Sequence, residues 1–135
     1  MTEADITYQI SEILNRLWDL QQWWASVSFG VLVVAYLVGK KMNGILMSIL
    51  LLLYAVYSIY MWDLLGVNVN TFSAYVLDLQ KLSDSGVELS AGSKAYLIPV
   101  GIGRYLAPIA LLGTFVSVVF YTLYVFFRRE GHEAA

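Results

Sequence analysis

Two runs of sequence constrain this chain more than anything else in it. Val27 to Leu65 and Tyr105 to Phe127 carry no charge except the Lys40-Lys41 pair and Asp63. A helix needs about 20 predominantly apolar residues to cross roughly 30 Å of hydrocarbon. Three segments meet that length: residues 18–39, 42–62 and 105–127. Burying such surfaces in water would take polar covering structure that a 135-residue chain with 13% charged and 59% hydrophobic residues does not contain. The runs therefore exclude a soluble globular enzyme, a disordered chain and a disulfide scaffold. They imply an all-α fold: an integral membrane three-helix bundle with an N-terminal amphipathic extension and a short extracytoplasmic helix in the second loop.

As a single membrane domain, residues 1–135 divide as follows. An amphipathic segment covers 1–17, span one 18–39, a tight inner hairpin turn 40–44, and span two 42–62. A long outer loop covers 63–104, with a helix expected at about 70–84. Span three takes 105–127 and a short tail 128–135. Charge placement orients them. Lys40, Lys41, Arg128 and Arg129 share one face, where Glu130 and Glu133 reduce the net to +2. The opposite face collects a net −3 in the tail (Glu3, Asp5, Glu12 and Asp19 against Arg16) and a net −1 in the loop (Asp63, Asp78, Asp84 and Glu88 against Lys81, Lys94 and Arg104). By the positive-inside rule the N-terminus is expected outside and the C-terminus in the cytoplasm. The expected location is a bacterial inner (cytoplasmic) membrane or its equivalent, with several passes.

The N-terminus is acidic where a secretory signal would be basic, and the first apolar run is too long for a signal peptide, so span one reads as a retained helix. Absence of cysteine removes disulfides, thiolate metal sites, covalent haem and thiol-linked lipid. Ile6, Ile10, Ile13, Leu14, Leu17, Leu20 and Trp24 recur at helical steps, which predicts an amphipathic helix over the tail. Trp18, Trp23, Trp24 and Trp62 read as interface anchors. In the loop, Asn70 or Thr71 is the expected cap of a helix with the stripe Phe72, Val76, Leu79 and Leu82, stopped by Ser83-Asp84-Ser85-Gly86. Val87 to Lys94 reads as loop. Gly101-x-Gly103 follows no strand and lacks a third glycine, so it is a hinge or close-packing point and not a nucleotide loop.

In lipid, helices associate through close backbone approach and polar contacts, so interfaces gather Gly, Ala, Ser and Thr. Each span has such a seam at helical spacing. Span one offers Ala25, Ser28, Ala35 and Gly39; span two Gly44, Ser48, Ala55 and Ser58; span three Gly103, Ala110, Gly113, Thr114 and Ser117. These seams serve internal packing, association of subunits, or both. Tyr54, Tyr57, Tyr60, Tyr121 and Tyr124 add hydroxyls, but no ionisable side chain lies at mid-membrane depth. Ion-coupled transport, proton pumping and voltage sensing depend on such groups and are disfavoured. Lys40, Lys41, Arg128 and Arg129 form a basic rim suited to an anionic lipid headgroup. At the other end, Asp63 and Arg104 are placed to form an ion pair.

No catalytic, cofactor-binding or metal-ligating set emerges. His132 is the only histidine, the carboxylates are dispersed and the serines lack a base. Nothing suggests nucleic acid. The expected partners are the lipid bilayer, possession of which the composition demands, and either other copies of the chain or other membrane subunits, with anionic lipid at the rim. The expected function is that of a small non-catalytic, oligomerising or accessory subunit of a membrane complex. In topology alone, three spans with the N-terminus out and a basic inner end, the chain resembles some phage holins. That resemblance implies the alternative, a small oligomeric membrane-permeabilising pore.

Overall fold

The structure is a computed structural model and describes residues 1–99, 101 and 103–133. Every element is helical: α1 (Glu3–Val38), a 3-10 turn (Gly39–Lys41), α2 (Gly44–Asp84), α3 (Ala91–Tyr96) and α4 (Gly103–Glu133). Three of the helices are long and apolar enough to cross a membrane, within Glu3–Val38, Gly44–Asp84 and Leu106–Arg128. The chain is thus an all-helical membrane-protein fold with three candidate spans.

Local chemistry explains where the helices begin. Thr2 caps α1: its backbone N and its hydroxyl donate to Asp5 Oδ2 (2.9 and 2.8 Å), and Asp5 N donates back to Thr2 Oγ1 (3.3 Å). This reciprocal arrangement satisfies helix-start donors that would otherwise be orphaned. It also holds the Asp5 carboxyl below its usual range, chiefly through the Thr2 backbone hydrogen bond. Asn43 does the same for α2, where Leu46 N donates to Asn43 Oδ1 at 2.8 Å. The hairpin between α1 and α2 is therefore a 3-10 turn, an extended Met42 and a cap. α2 stops at Gly86, whose φ of 90° is the only positive φ among the described residues.

Two expected elements differ. The separate loop helix at 70–84 does not form as such, because α2 runs unbroken through 41 residues from Gly44 to Asp84. Asn70 and Thr71 do not cap. Instead Asn68, Thr71 and Ser73 return their side chains to the carbonyls of Leu64, Val67 and Val69 (2.8–2.9 Å), which satisfies them inside a continuing helix. With one Gly and no Pro between Trp62 and Asp84, nothing in the backbone forces a break. The second difference is α3, which lies in a stretch expected to be loop. Ser90 caps it, accepting from Ser93 N at 3.2 Å.

The chain divides into two compact units: Met1–Gln21 with Trp62–Ile102, and Gln22–Met61 with Gly103–Ala135. The first has a core of Ile6, Ile10, Leu79 and Leu89, with Phe72, Tyr75, Val76, Leu82, Tyr96 and Leu97 packed around it. The apolar stripe of the N-terminal segment thus packs on that of residues 72–82. The second has a core of Val31, Tyr54 and Val118, flanked by Val27, Leu32, Leu50, Phe115 and Val119. Outside that core its side chains are large and apolar: Leu52, Ile59, Ile109 and Phe120 are all more than 60% exposed. A surface of that kind fits lipid, not water.

Candidate functional site

In the second unit, α1 and α2 meet through a fully buried polar ladder. Ser28 Oγ donates to the Trp24 carbonyl at 2.8 Å. Its proton is therefore committed, and the Tyr54 hydroxyl 2.9 Å away is the donor in that contact. Trp24 Nε1 in turn donates to Ser58 Oγ at 3.3 Å. All four side chains are buried. Buried polar groups need such partners in protein and still more in hydrocarbon. Trp24 is thus not an interface anchor like the exposed Trp18 and Trp23. Its indole N–H finds a serine instead.

The sequence-derived seams are distributed unevenly. Ser28, Ala35, Gly39 and Ser58 are buried and Ala55 is half-buried, whereas Ala25, Gly44 and Ser48 are exposed. In α2 the buried side is the Met47–Tyr54–Ser58–Met61 line, turned from the small residues by roughly a quarter of the helix at 100° per residue. Gly39, in the 3-10 turn that follows α1, lies close against α4: a Cβ built there would sit 2.8 Å from Val125 Cγ1.

α4 presents three faces. Phe115, Val118, Val119 and Thr122 pack inward, with Val118 and Thr122 fully buried. Ile109, Leu112, Val116, Phe120 and Phe127 form a second, bulky and exposed face. Ala110, Gly113, Thr114 and Ser117 form a third, also exposed. At 100° per residue the mean directions of the three lie about 120° apart, and the second and third adjoin where Phe120 follows Gly113 by two turns. The internal contact of α4 is therefore made by its β-branched and aromatic side, while its small residues are exposed. A Cβ on Gly113 meets no atom within 4 Å. Thr114 returns its hydroxyl to the Ala110 carbonyl at 2.8 Å, which satisfies it within the helix. Gly103 opens α4, and its surroundings lie outside the described residues.

The two basic pairs are drawn to one place. The 3-10 turn packs on α4, and Lys41 and Arg128 follow the Gly39–Val125 contact by two and three residues. Arg128 lies over the Tyr124 ring, 5.9 Å from its centroid, with Nη1 donating to the Tyr124 hydroxyl at 3.3 Å. The side chains of Lys40 and Arg129 lie outside the described residues. So does that of Arg104, and with it the expected pairing to Asp63.

In the first unit, Glu3 clasps the start of α3. Its carboxylate accepts from Ser90 N at 3.0 Å and from the Ser93 hydroxyl. The Ser93 bond, then those of Ser90, hold the Glu3 carboxyl below its ordinary value of 4.5. Among the described residues, no group of three His, Asp or Glu converges. Compared with known families, with curated proteins and with solved structures, the chain matches none of them.

Proposed function

We propose that this chain is a small non-catalytic, multi-pass membrane subunit that associates with copies of itself or with other membrane subunits through the small-residue face of α4. The observation that supports the reading is the division of labour on that helix. Its internal packing is made by Phe115, Val118, Val119 and Thr122, while Ala110, Gly113, Thr114 and Ser117 stand exposed and offer the close backbone approach by which helices associate in lipid. A helix that only had to face lipid would have no use for such a stripe. In this reading the Lys40-Lys41 and Arg128-Arg129 end faces the cytoplasm.

Because the chain lacks cysteine, single cysteines test this cleanly. Gly113→Cys and Ser117→Cys should cross-link between copies in native membranes. Leu112→Cys and Val116→Cys, on the bulky face, should not. Stoichiometric adducts to another membrane protein at 113 and 117 would assign an accessory role; equal cross-linking on both faces, or none on either, would refute the reading. The pore alternative is read from the same variants. A lumen along the stripe would let a water-soluble maleimide reach both cysteines. Ser58 is no part of such a lumen, because its oxygen accepts from Trp24 within the unit.

A further inference from the structure

The second unit holds an apolar groove of about 310 Å³ lined by Phe29, Leu32, Val33 and Tyr36 of α1 and Tyr121 of α4. Phe29 and Tyr36 are about 70% exposed, so the groove opens outward along the helices. Its position relative to the basic end follows from the chain. Val31 packs with Val118 and, further along both helices, Gly39 approaches Val125, so the two run the same way. Tyr36 and Tyr121 lie about one turn before that contact, and Lys41 and Arg128 lie just after it. The groove is therefore followed, within a turn or two of helix, by Lys41 and Arg128.

We propose that the groove and these two residues are a binding site for one anionic phospholipid, with an acyl chain in the groove and the headgroup phosphate against Lys41 and Arg128. The argument is one of complementarity. The groove lining is almost wholly apolar and takes a hydrocarbon chain, and the cations begin where that chain would meet its headgroup. Arg128 is already oriented by Tyr124, which lowers the cost of ordering it. Basic residues gathered between membrane helices recognise anionic headgroups in this way. The site needs the chain to span a membrane, but not the association of copies through α4.

The test is native mass spectrometry of the full chain released from nanodiscs containing equal phosphatidylglycerol and phosphatidylcholine. At about fivefold per basic residue, the unsubstituted protein should retain phosphatidylglycerol at least tenfold over phosphatidylcholine. The double variant Lys41→Gln with Arg128→Gln should lose that preference. Val33→Trp, which fills the groove from a half-exposed position, should lower retention of both lipids. Circular dichroism and gel filtration establish that each variant keeps its fold. A second measurement uses the unsubstituted protein alone. Phosphatidylglycerol with six-carbon chains should compete several-fold less well than the sixteen-carbon form. Equal retention of the two lipids, undiminished retention by Val33→Trp, or equal competition by short and long chains would overturn the proposal. So would a lipid-free dimer that Val33→Trp disperses, because a second copy would then occupy the groove.

Discussion

Replacing Gly39 by alanine asks how closely α1 and α4 must approach. The added Cβ would stand 2.8 Å from Val125 Cγ1, well inside ordinary van der Waals contact. Restoring contact needs a separation of more than half an ångström, achieved by turning Val125 or by parting the helices. Overpacking of this kind costs about 1–3 kcal/mol. The next atom, Val125 Cβ, is 3.7 Å away, at normal contact distance. Val125→Ala should therefore absorb the new methyl and leave Gly39→Ala nearly neutral in that background, giving a coupling energy of about 1–2 kcal/mol. Gly30→Ala, in the exposed middle of α1, is the internal control. It meets nothing within 4 Å, so it should be neutral or stabilising by up to about 1 kcal/mol through helix propensity. Reversible unfolding in mixed micelles, followed by far-ultraviolet circular dichroism, measures all four. Gly39→Ala as stable as Gly30→Ala, or additive with Val125→Ala, would refute the close approach.

Tyr54→Phe removes the donor to Ser28 while Ser28 keeps the Trp24 carbonyl, so the loss should be modest, about 0.6 kcal/mol and at most about 1.7; the same unfolding assay reads it. Ile10→Ala deletes a fully buried side chain from the first unit and should destabilise it by about 2–5 kcal/mol, seen as faster amide exchange across residues 70–84 and 91–96. The Glu3 clasp has a defined pH response. Because the folded-state carboxyl is depressed below 4.5, its contribution is fully present above that value and is lost as pH falls through the lower folded value. Amide exchange of α3, corrected for the intrinsic rate, should accelerate over that acid range, and Glu3→Gln should abolish the dependence.

The spans were legible because a membrane imposes length and polarity on each segment separately. The stripe Ile6–Ile10–Ile13 and the stripe Phe72–Val76–Leu79–Leu82 were legible for a similar reason, since helical spacing is a local property. What escaped was decided between segments distant in the chain. α3 is six residues long, too short to stand by itself, and is held by Glu3, 87 residues before Ser90. Asn70 and Thr71 carry the chemistry of a cap, but a capping residue and a back-bonding one look alike until the backbone is known. Trp24 was equally ambiguous, because an indole placed near an interface serves as an anchor only if no serine stands opposite it. The seams name which residues are small, and small residues pack inward or outward with equal ease. Tyr54 and Phe115, whose rings stack at 5.5 Å, took the inner place in the second unit.

The three faces of α4 also imply three rules for mutational drift along one helix. At Phe115, Val118 and Thr122, where neighbours on every side set the available volume, exchanges should be rare and conservative in size. At Ile109, Leu112 and Val116, any apolar residue serves and drift should be free. At Ala110, Gly113 and Ser117 the fold itself permits enlargement, so natural selection would keep those positions small only if something outside the chain has to fit against them.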